Sequence, residues 1–373
     1  MKYFLPVLLI LVTSCSQMNE KPMTWDKGGE LATKIENRFP EISFSRNWIN
    51  RGDMQMLEVD YREISSWDGD DLRGSLEAFV RGCEKKSETN VPQICDRAKF
   101  LQSEKVSPYQ IKLFFENNFT PYLVIDYKTE RLDGVVTGYY VPLLEGSRKK
   151  TSRFKYPIYK KPRDYRLPYK THEQIDKGID ADVICWVEDR VERAFLHIQG
   201  SGTIRLRDGS KIGVGFAGQN GYKYRSIGKY INKKFKVPLY KLSAQYIKSW
   251  IRDNPEHADD VLYYNRSFIF FEETGAGVAL GSLGTNLVPR STIAVDRKFI
   301  PLNLPVFIEE KGSDDGILNH LFIAQDVGGA IKGRIRADLF FGFGNKAGEL
   351  AGKMKRDASF FILLPHGYKL PPI

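Results

Sequence analysis

Two aspartates near the C-terminus, Asp326 and Asp338, have neighbours that would suit acid/base work, although an aspartate taken singly reads as a solvated surface or turn residue. Asp338 is followed by Leu339-Phe340-Phe341, an apolar stretch able to desolvate a carboxyl group and lift its pKa toward neutrality, so that it holds a proton to give away. Asp326 is followed closely by Gly328-Gly329, a backbone without side chains that a ligand or another strand can approach closely. A third aspartate, Asp296, either joins this set or anchors a turn with Arg297. Such residues point to general acid/base chemistry. Other chemistries lack their signatures. No Walker A loop, GxSxG elbow or HExxH pair occurs, and Gly275-Ala276-Gly277 with Gly281 has the wrong spacing for a dinucleotide fingerprint and reads as loop. No CxxC pair exists, and His172, His197, His257, His320 and His366 are scattered without ligand spacing, so neither a metal nor a cofactor is expected.

The elements that must position these residues read as mainly β with some helices. Leu72, Leu76, Phe79, Val80 and Cys83 recur at helical spacing, and Ile111, Phe114 and Phe115 follow a Ser107-Pro108 start signal. From Pro121 the chain changes character. Tyr122 to Ile125, Val135 to Val141, Ala194 to Ile198 and Ile212 to Phe216 read as short strands between turns, a compact β unit. Ser243 caps a helix through Ile247 and Ile251. Ser267 to Phe271, Ser291 to Val295, Val306 to Glu309, Leu321 to Ala324 and Phe360 to Leu364 then read as further strands. Many short strands without alternating helices argue for barrels over a doubly wound sheet.

Met1 to Ser14 reads as an export signal, with Lys2 ahead of the apolar run Phe4 to Val12 and small residues before Cys15. That run is too short to span a bilayer, which takes about 20 apolar residues. Residues 16–27 are polar and read as a tether. The formal charge of +10 over 373 residues favours anionic partners, or is a solvated basic surface; export excludes nucleic acid. In an oxidising compartment Cys83 and Cys95 can close a short disulfide loop or stay reduced, while Cys185 reads as a buried thiol.

Three groups of segments carry a resemblance. The first is Thr137-Gly138-Tyr139-Tyr140 followed by Tyr156-Pro157-Ile158-Tyr159. The second is Gln199-Gly200-Ser201-Gly202, then Phe216 to Gly221 and Tyr224 to Gly228. The third is Ala294 to Arg297, Ala324 to Gly333 and Arg336 to Gly342. Their order resembles the membrane-bound lytic murein transglycosylase A family, whose C-terminal 3D segment is named for three aspartates, here Asp296, Asp326 and Asp338; the resemblance covers roughly Phe119 to Leu364. It implies a double-psi β-barrel built from residues 28–138 and 281–373, with the 3D segment at about 290–365 and a second β domain, 139–280, inserted between them. A glycan groove would lie at the junction. Val12-Thr13-Ser14-Cys15 resembles a bacterial lipobox, which implies acylation of Cys15. Ser16 in place of Asp then implies the outer membrane of a Gram-negative bacterium, the protein facing the periplasm.

The resemblance further implies cleavage of the β-1,4 bond between N-acetylmuramic acid and N-acetylglucosamine in peptidoglycan, without water, leaving 1,6-anhydro ends. Asp338 takes the catalytic position as single acid/base, and Asp326 supports the developing cation or raises the pKa of Asp338 by like charge. Among substrate-binding residues it implies Tyr139, Tyr140 and Tyr224 stacking on sugar faces, Gln199 and Ser201 bonding N-acetyl groups, and Thr137, Gly138, Gly200, Gly202, Asp296, Gly328 and Gly329 around them. Lys332 and Arg225 meet peptide or lactyl carboxylates, or are surface charges. The partners implied are peptidoglycan strands, the membrane, and machinery of cell-wall synthesis or division. Two other readings use the same residues: an inverting hydrolase in which Asp326 or Glu145 activates water, and a lipoprotein that binds wall glycan without cleaving it.

Overall fold

The computed structural model of the chain describes residues 29–312 and 316–371. The signal expected over Met1 to Ser14, the lipidation expected at Cys15 and the tether expected over 16–27 lie outside them. Glu30–Arg38 forms helix α1 in a unit that ends at Pro40, and the chain from Glu41 onward makes a second unit.

That second unit is mainly β with some helices. It opens with strands β1 (Trp48–Arg51) and β2 (Met54–Glu58), helices α2 (Arg73–Cys83), α3 (Pro92–Ser103) and α4 (Pro108–Asn118), and strands β3 (Phe119–Asp126) and β4 (Asp133–Val141). There follow β5 (Leu143–Ser147), β6 (Tyr156–Tyr159), α5 (His172–Asp176), β7 (Val183–Val187), α6 (Arg190–Gln199), β8 (Gly202–Leu206) and β9 (Lys211–Gln219). Next come α7 (Ile227–Phe235), α8 (Ala244–Asp253), α9 (Ala258–Tyr264), β10 (Ile269–Thr274) and β11 (Thr292–Val295). The last elements are β12 (Pro305–Glu309), β13 (His320–Asp326), β14 (Arg336–Phe343), α10 (Gly344–Lys353) and β15 (Lys355–Pro365).

The strands fall into two sheets. The first runs β1-β2-β3-β15-β12-β13-β11-β14-β4, and because β15 also pairs with β4, six of its strands close into a ring. Two contacts in that ring, β11 with β13 and β14 with β4, are parallel, and the other four are antiparallel. Side chains alternate across each strand. Val136, Ile293, Val295, Phe322, Ala324, Ala337, Leu339, Phe341, Phe360 and Ile362 therefore fill the ring as one buried cluster, each such aliphatic or aromatic side chain contributing about 1.5–3 kcal/mol of burial.

The second sheet runs β10-β9-β8-β5-β7-β6, and its edge strands β10 and β6 come together, so it is nearly closed. The chain passes from the first sheet to the second across Pro142 alone, after β4, and returns through the long segment between β10 and β11. The strand expected at Ala194 to Ile198 is instead the body of α6. Asp189 caps its first turn by accepting from Val191 N (2.7 Å), Val191, Ala194 and Phe195 repeat at helical spacing on its buried face, and Gly200 ends it at φ +79°. A short β-branched and aromatic run carries too little length to separate strand from helix, and here the flanking caps decide. The compact β unit expected before residue 280 accordingly carries helices α5 to α9 as well.

The two expected helices, α2 and α4, meet at an aromatic cluster, with the Phe79 ring 5.7 Å from Phe119 and 6.1 Å from Phe114, and the unexpected α3 lies between them in sequence. Ser107 caps α4 in a reciprocal pair with Gln110. Cys83 ends α2 and is bonded to Cys95 in α3, with Cα atoms 5.6 Å apart, while Cys185 is a buried free thiol. Cross-linking two adjacent helices restricts the unfolded chain. Replacing both Cys83 and Cys95 with Ala is expected to lower unfolding stability by about 3 kcal/mol, read as a lower urea midpoint relative to the oxidised protein; an unchanged midpoint would remove the disulfide from the stabilising contacts.

Candidate active site

The pairing register aligns four residues in a row across the outer face of the closed ring. Thr137 of β4 lies opposite Asp338 of β14, Asp338 opposite Ala294 of β11, and Ala294 opposite Asp326 of β13. Residues directly opposite on neighbouring strands project to the same face. Both carboxylates therefore stand outside the barrel, their α-carbons two strand spacings apart, about 10 Å, with only the small Ala294 between them. A register shift between Ile293 and Ala294 brings Asp326 into line.

Alternation also corrects the source of desolvation. Of Leu339, Phe340 and Phe341, the first and third point into the barrel core and only Phe340 shares the face of Asp338. Phe340 packs with Val141, Ala279 and Leu287, and the Tyr139 ring lies 5.3 Å from its own. This apolar wall, drawn from β4, β14 and the segment that returns from the second sheet, replaces the local sequence as the shield.

Burial pushes the Asp338 carboxyl up to about 6, against the hydrogen bond from Thr137 and the positive charge of Arg336, with a smaller push from Asp326. Thr137 Oγ1 donates to Asp338 Oδ1, and Asp338 Oδ2 makes no hydrogen bond among the described residues. Asp326 differs. Its Oδ1 accepts from Ser282 N (2.9 Å), Ser282 Oγ (2.8 Å) and Val327 N (2.9 Å), and its Oδ2 accepts from Tyr139 Oη (3.0 Å). Burial raises its pKa too, but all four donors favour the charged form. One carboxyl thus keeps a free oxygen for a proton, and the other has its oxygens committed. Tyr139, half-buried beside both, has its phenol pushed up by desolvation and by Asp326.

The other expected residues divide by face. Gly138 looks toward the barrel interior, where a Cβ would meet Phe341 at 2.6 Å and the Ala351 backbone of α10 at 2.8 Å, so its lack of a side chain serves helix packing. Tyr140 leaves β4 on the same side, against the core and α10. Its backbone N donates to Gln199 Oε1 (3.2 Å), which fixes the end of α6 to the strand joining the two sheets, and Lys248 Nζ lies 3.5 Å from its hydroxyl. Gly200 ends α6, Ser201 follows, and at Gly202 a Cβ would lie 2.4 Å from Leu196. Asp296 accepts from Gly333 N (3.1 Å) and Lys298 N (3.3 Å) and holds the turn after β11. Gly328, Gly329 and the exposed Lys332 occupy the loop from β13 to β14, where Gly328 O accepts from Ile331 N (3.1 Å). Tyr224 and Arg225 precede α7, the Arg225 guanidinium over Tyr264, and no contact among the described residues ties them to the aspartates. Glu145 is held by Arg205 on the neighbouring strand (2.9 Å).

Two residues outside the expected set complete the shell. Arg336 Nη2 donates to Thr137 Oγ1 (2.8 Å), and Ser282 clamps Asp326. The alternation of β14 places Arg336 on the face of Asp338, a signal present in the sequence; Ser282 has none, because a long loop brings it there. A cavity of about 480 Å³ lies on the Tyr140 side, lined by Tyr140, Glu145, Glu192, Gln245, Lys248 and Arg252 among others, and neither aspartate reaches it. Among the described residues no three His, Cys, Asp or Glu side chains converge as a metal would require, and no helix is long and apolar enough to cross a membrane.

The raised pKa of Asp338 has a consequence for stability. In the unfolded chain an aspartate ionises near 3.9, so between about pH 4 and pH 6 the unfolded state sheds this proton first and folding weakens as pH rises. Asp338→Asn is therefore expected to stabilise the protein above pH 6 by up to about 3 kcal/mol, with the gain vanishing below about pH 4. Thermal melts of the two proteins across this range check it; a gain that does not depend on pH would contradict the buried, protonated carboxyl.

Known proteins share both halves of this architecture. A family profile described as the MltA specific insert domain matches residues 135–272, and a 3D domain profile matches residues 291–364. The crystal structure of MltA from Neisseria gonorrhoeae superposes with a TM-score of 0.75 at 33% identity, covering 87% of this chain and 96% of that one. The membrane-bound lytic murein transglycosylase A of Escherichia coli K12 is 33% identical over 225 residues, 58% of this chain and 61% of the relative. A homologue from Buchnera aphidicola subsp. Schizaphis graminum is 34% identical over 229 residues, 58% of this chain and 62% of that one. The matched region thus spans about three-fifths of the length of these curated relatives.

Proposed function

The chain belongs to the MltA family, and on that premise we propose that it is a lytic transglycosylase of peptidoglycan that works with Asp338 as single acid and base. The observation that carries this reading is the inequality of the two carboxyls: Asp338, pushed up to about 6 with a free Oδ2, beside Asp326, held by four donors.

Cleavage of a glycosidic bond needs a proton on the leaving oxygen and support for positive charge at the anomeric carbon. In the proposed reaction Asp338 gives its Oδ2 proton to the oxygen leaving N-acetylmuramic acid. The charged Asp326 stabilises the developing oxocarbenium ion. The C6 hydroxyl of the same sugar then attacks its anomeric carbon, and its proton passes to Asp338, so the 1,6-anhydro ring closes and the acid is regenerated. No water enters. Both oxygens of Asp326 already accept hydrogen bonds, and Glu145 is engaged by Arg205, which weighs against the inverting hydrolase.

The same reading extends to the frame. We take the closed six-strand ring, with two parallel contacts, as a double-psi barrel made from residues 28–138 and 281–373, and the nearly closed second sheet as the inserted domain 139–280. Glycan would lie along the outer face that carries the row Thr137, Asp338, Ala294 and Asp326. Acylation at Cys15 would hold the protein on the periplasmic side of an outer membrane. We further propose Gln199, Ser201, Tyr224, Arg225 and Lys332 as contacts to sugar, N-acetyl or peptide groups of the glycan.

Incubation with purified peptidoglycan is expected to release muropeptides with anhydro ends, lighter by one water than hydrolysed ends, by mass spectrometry. Asp338→Asn is expected to cut turnover by at least about a thousandfold while glycan binding persists. Release of hydrated ends alone would overturn the transglycosylase reading, and full turnover by the Asn variant would overturn the role of Asp338.

A further inference from the structure

Asp338 has two oxygens, and only a proton on the one turned toward the substrate can be delivered. We infer that Arg336, acting through Thr137 as a positioning residue, fixes that proton on Oδ2. The inference rests on the acid/base reading of Asp338 and adds to it the device that orients the acid.

Arg336 precedes Asp338 by one full alternation of β14 and shares its face. Its guanidinium is pinned from several directions. Nη1 donates to Val135 O (3.2 Å) and to Ala337 O, and Nη2 donates to Thr137 Oγ1 (2.8 Å). A guanidinium has donors only, so Thr137 Oγ1 must accept in that contact. The hydroxyl has one hydrogen, and the remaining neighbour of Oγ1 is Asp338 Oδ1. Thr137 therefore donates to Oδ1. A proton on Oδ1 would have to face either that hydroxyl hydrogen or an oxygen already polarised by a cation, both unfavourable. In the acid form the proton is left on Oδ2, the oxygen without a partner among the described residues.

Without Arg336 the hydroxyl is free to rotate and accept from a protonated Oδ1, and the acid then presents its proton on either oxygen. The charged and titratable groups around Asp338 are Arg336 on its own strand, Tyr139 beside Thr137 on β4, Asp326 on β13 and the exposed Lys355, which lies opposite Thr137 on β15; β11 contributes the uncharged Ala294. Arg336 is the cation that favours the ionised form of Asp338, with the Thr137 bond acting in the same direction. Loss of either releases Asp338 to hold its proton to higher pH.

The test is the pH profile of kcat and KM for release of soluble muropeptides from peptidoglycan by the full chain and its Arg336→Met, Thr137→Val, Thr137→Ser and Asp338→Asn variants. Arg336→Met and Thr137→Val are each expected to lower kcat roughly tenfold, to leave KM nearly unchanged, and to move the basic limb of kcat to higher pH. Thr137→Ser, which keeps the hydroxyl, is expected to restore both rate and limb. The double variant Arg336→Met/Thr137→Val is expected to lose no more than Thr137→Val alone, since both act along one path. A basic limb that stays put in Arg336→Met, or additive losses in the double variant, would overturn the inference. Should Arg336→Met not fold, Thr137→Val against Thr137→Ser tests the hydroxyl by the same rate and limb, and equal behaviour of the two would overturn the inference as well. Turnover retained by Asp338→Asn would instead strike the underlying acid/base reading, so the two failures are distinguishable.

Discussion

Closure of the ring through the pairing of β15 with β4 is the constraint from which the site follows. A closed sheet has no free edge and no choice of face: one set of alternating side chains must fill the interior, and the other must stand outside. In β14 that rule sends Ala337, Leu339 and Phe341 into the core and leaves Arg336, Asp338 and Phe340 on the outer face. The same rule, applied to β4, separates Thr137 and Tyr139 from Val136 and Gly138. A slip of one residue in any of these pairings would bury a carboxylate in an aliphatic core and break the row. The large apolar burial inside the ring therefore fixes the position of polar groups that contribute nothing to it.

The strand that closes the ring also leaves it. β4 ends at Val141, and one proline later the chain enters the second sheet, so Tyr139 and Tyr140 stand at the junction and point to opposite sides. Tyr139 reaches Asp326 and Phe340. Tyr140 is tied to Gln199, α10 and Lys248. The return path makes the matching contact, because Ser282 in the segment from β10 to β11 bonds Asp326 through both backbone and side chain. Both connections between the sheets thus touch the carboxylate pair directly. Their geometry and that of the acid are one problem, and a change in how the second sheet sits would be felt first at Asp326.

Hydrogen-bond donors act in the same direction on the two aspartates but in unequal number. Burial raises both carboxyls, and what distinguishes them is the number of donors each receives, one at Asp338 and four at Asp326. Unequal hydrogen bonding on a common face gives two side chains of the same type different environments. It requires the donors to arrive from three separate places in the chain, Thr137 and Tyr139 on β4, Ser282, and Val327, none of which is next to Asp338 in sequence.

The sequence alone determined the helices around Phe79 and Phe114, the strand-rich character after Pro121 and the buried state of Cys185, because those features rest on local periodicity, caps and residue type; Asp326 and Asp338 stood out only through the family resemblance of their motifs. It misread Ala194 to Ile198 as a strand, since a short apolar run fits either period until its caps are weighed. It credited the shielding of Asp338 to its three successors when one of them shares its face. Only the tertiary structure decided which residues meet: the register that lines up Thr137, Asp338, Ala294 and Asp326, the loop that delivers Ser282, and the guanidinium of Arg336 on Thr137. Pairing register and long loops are settled by the packing of the whole ring, and no window of neighbouring residues contains that information.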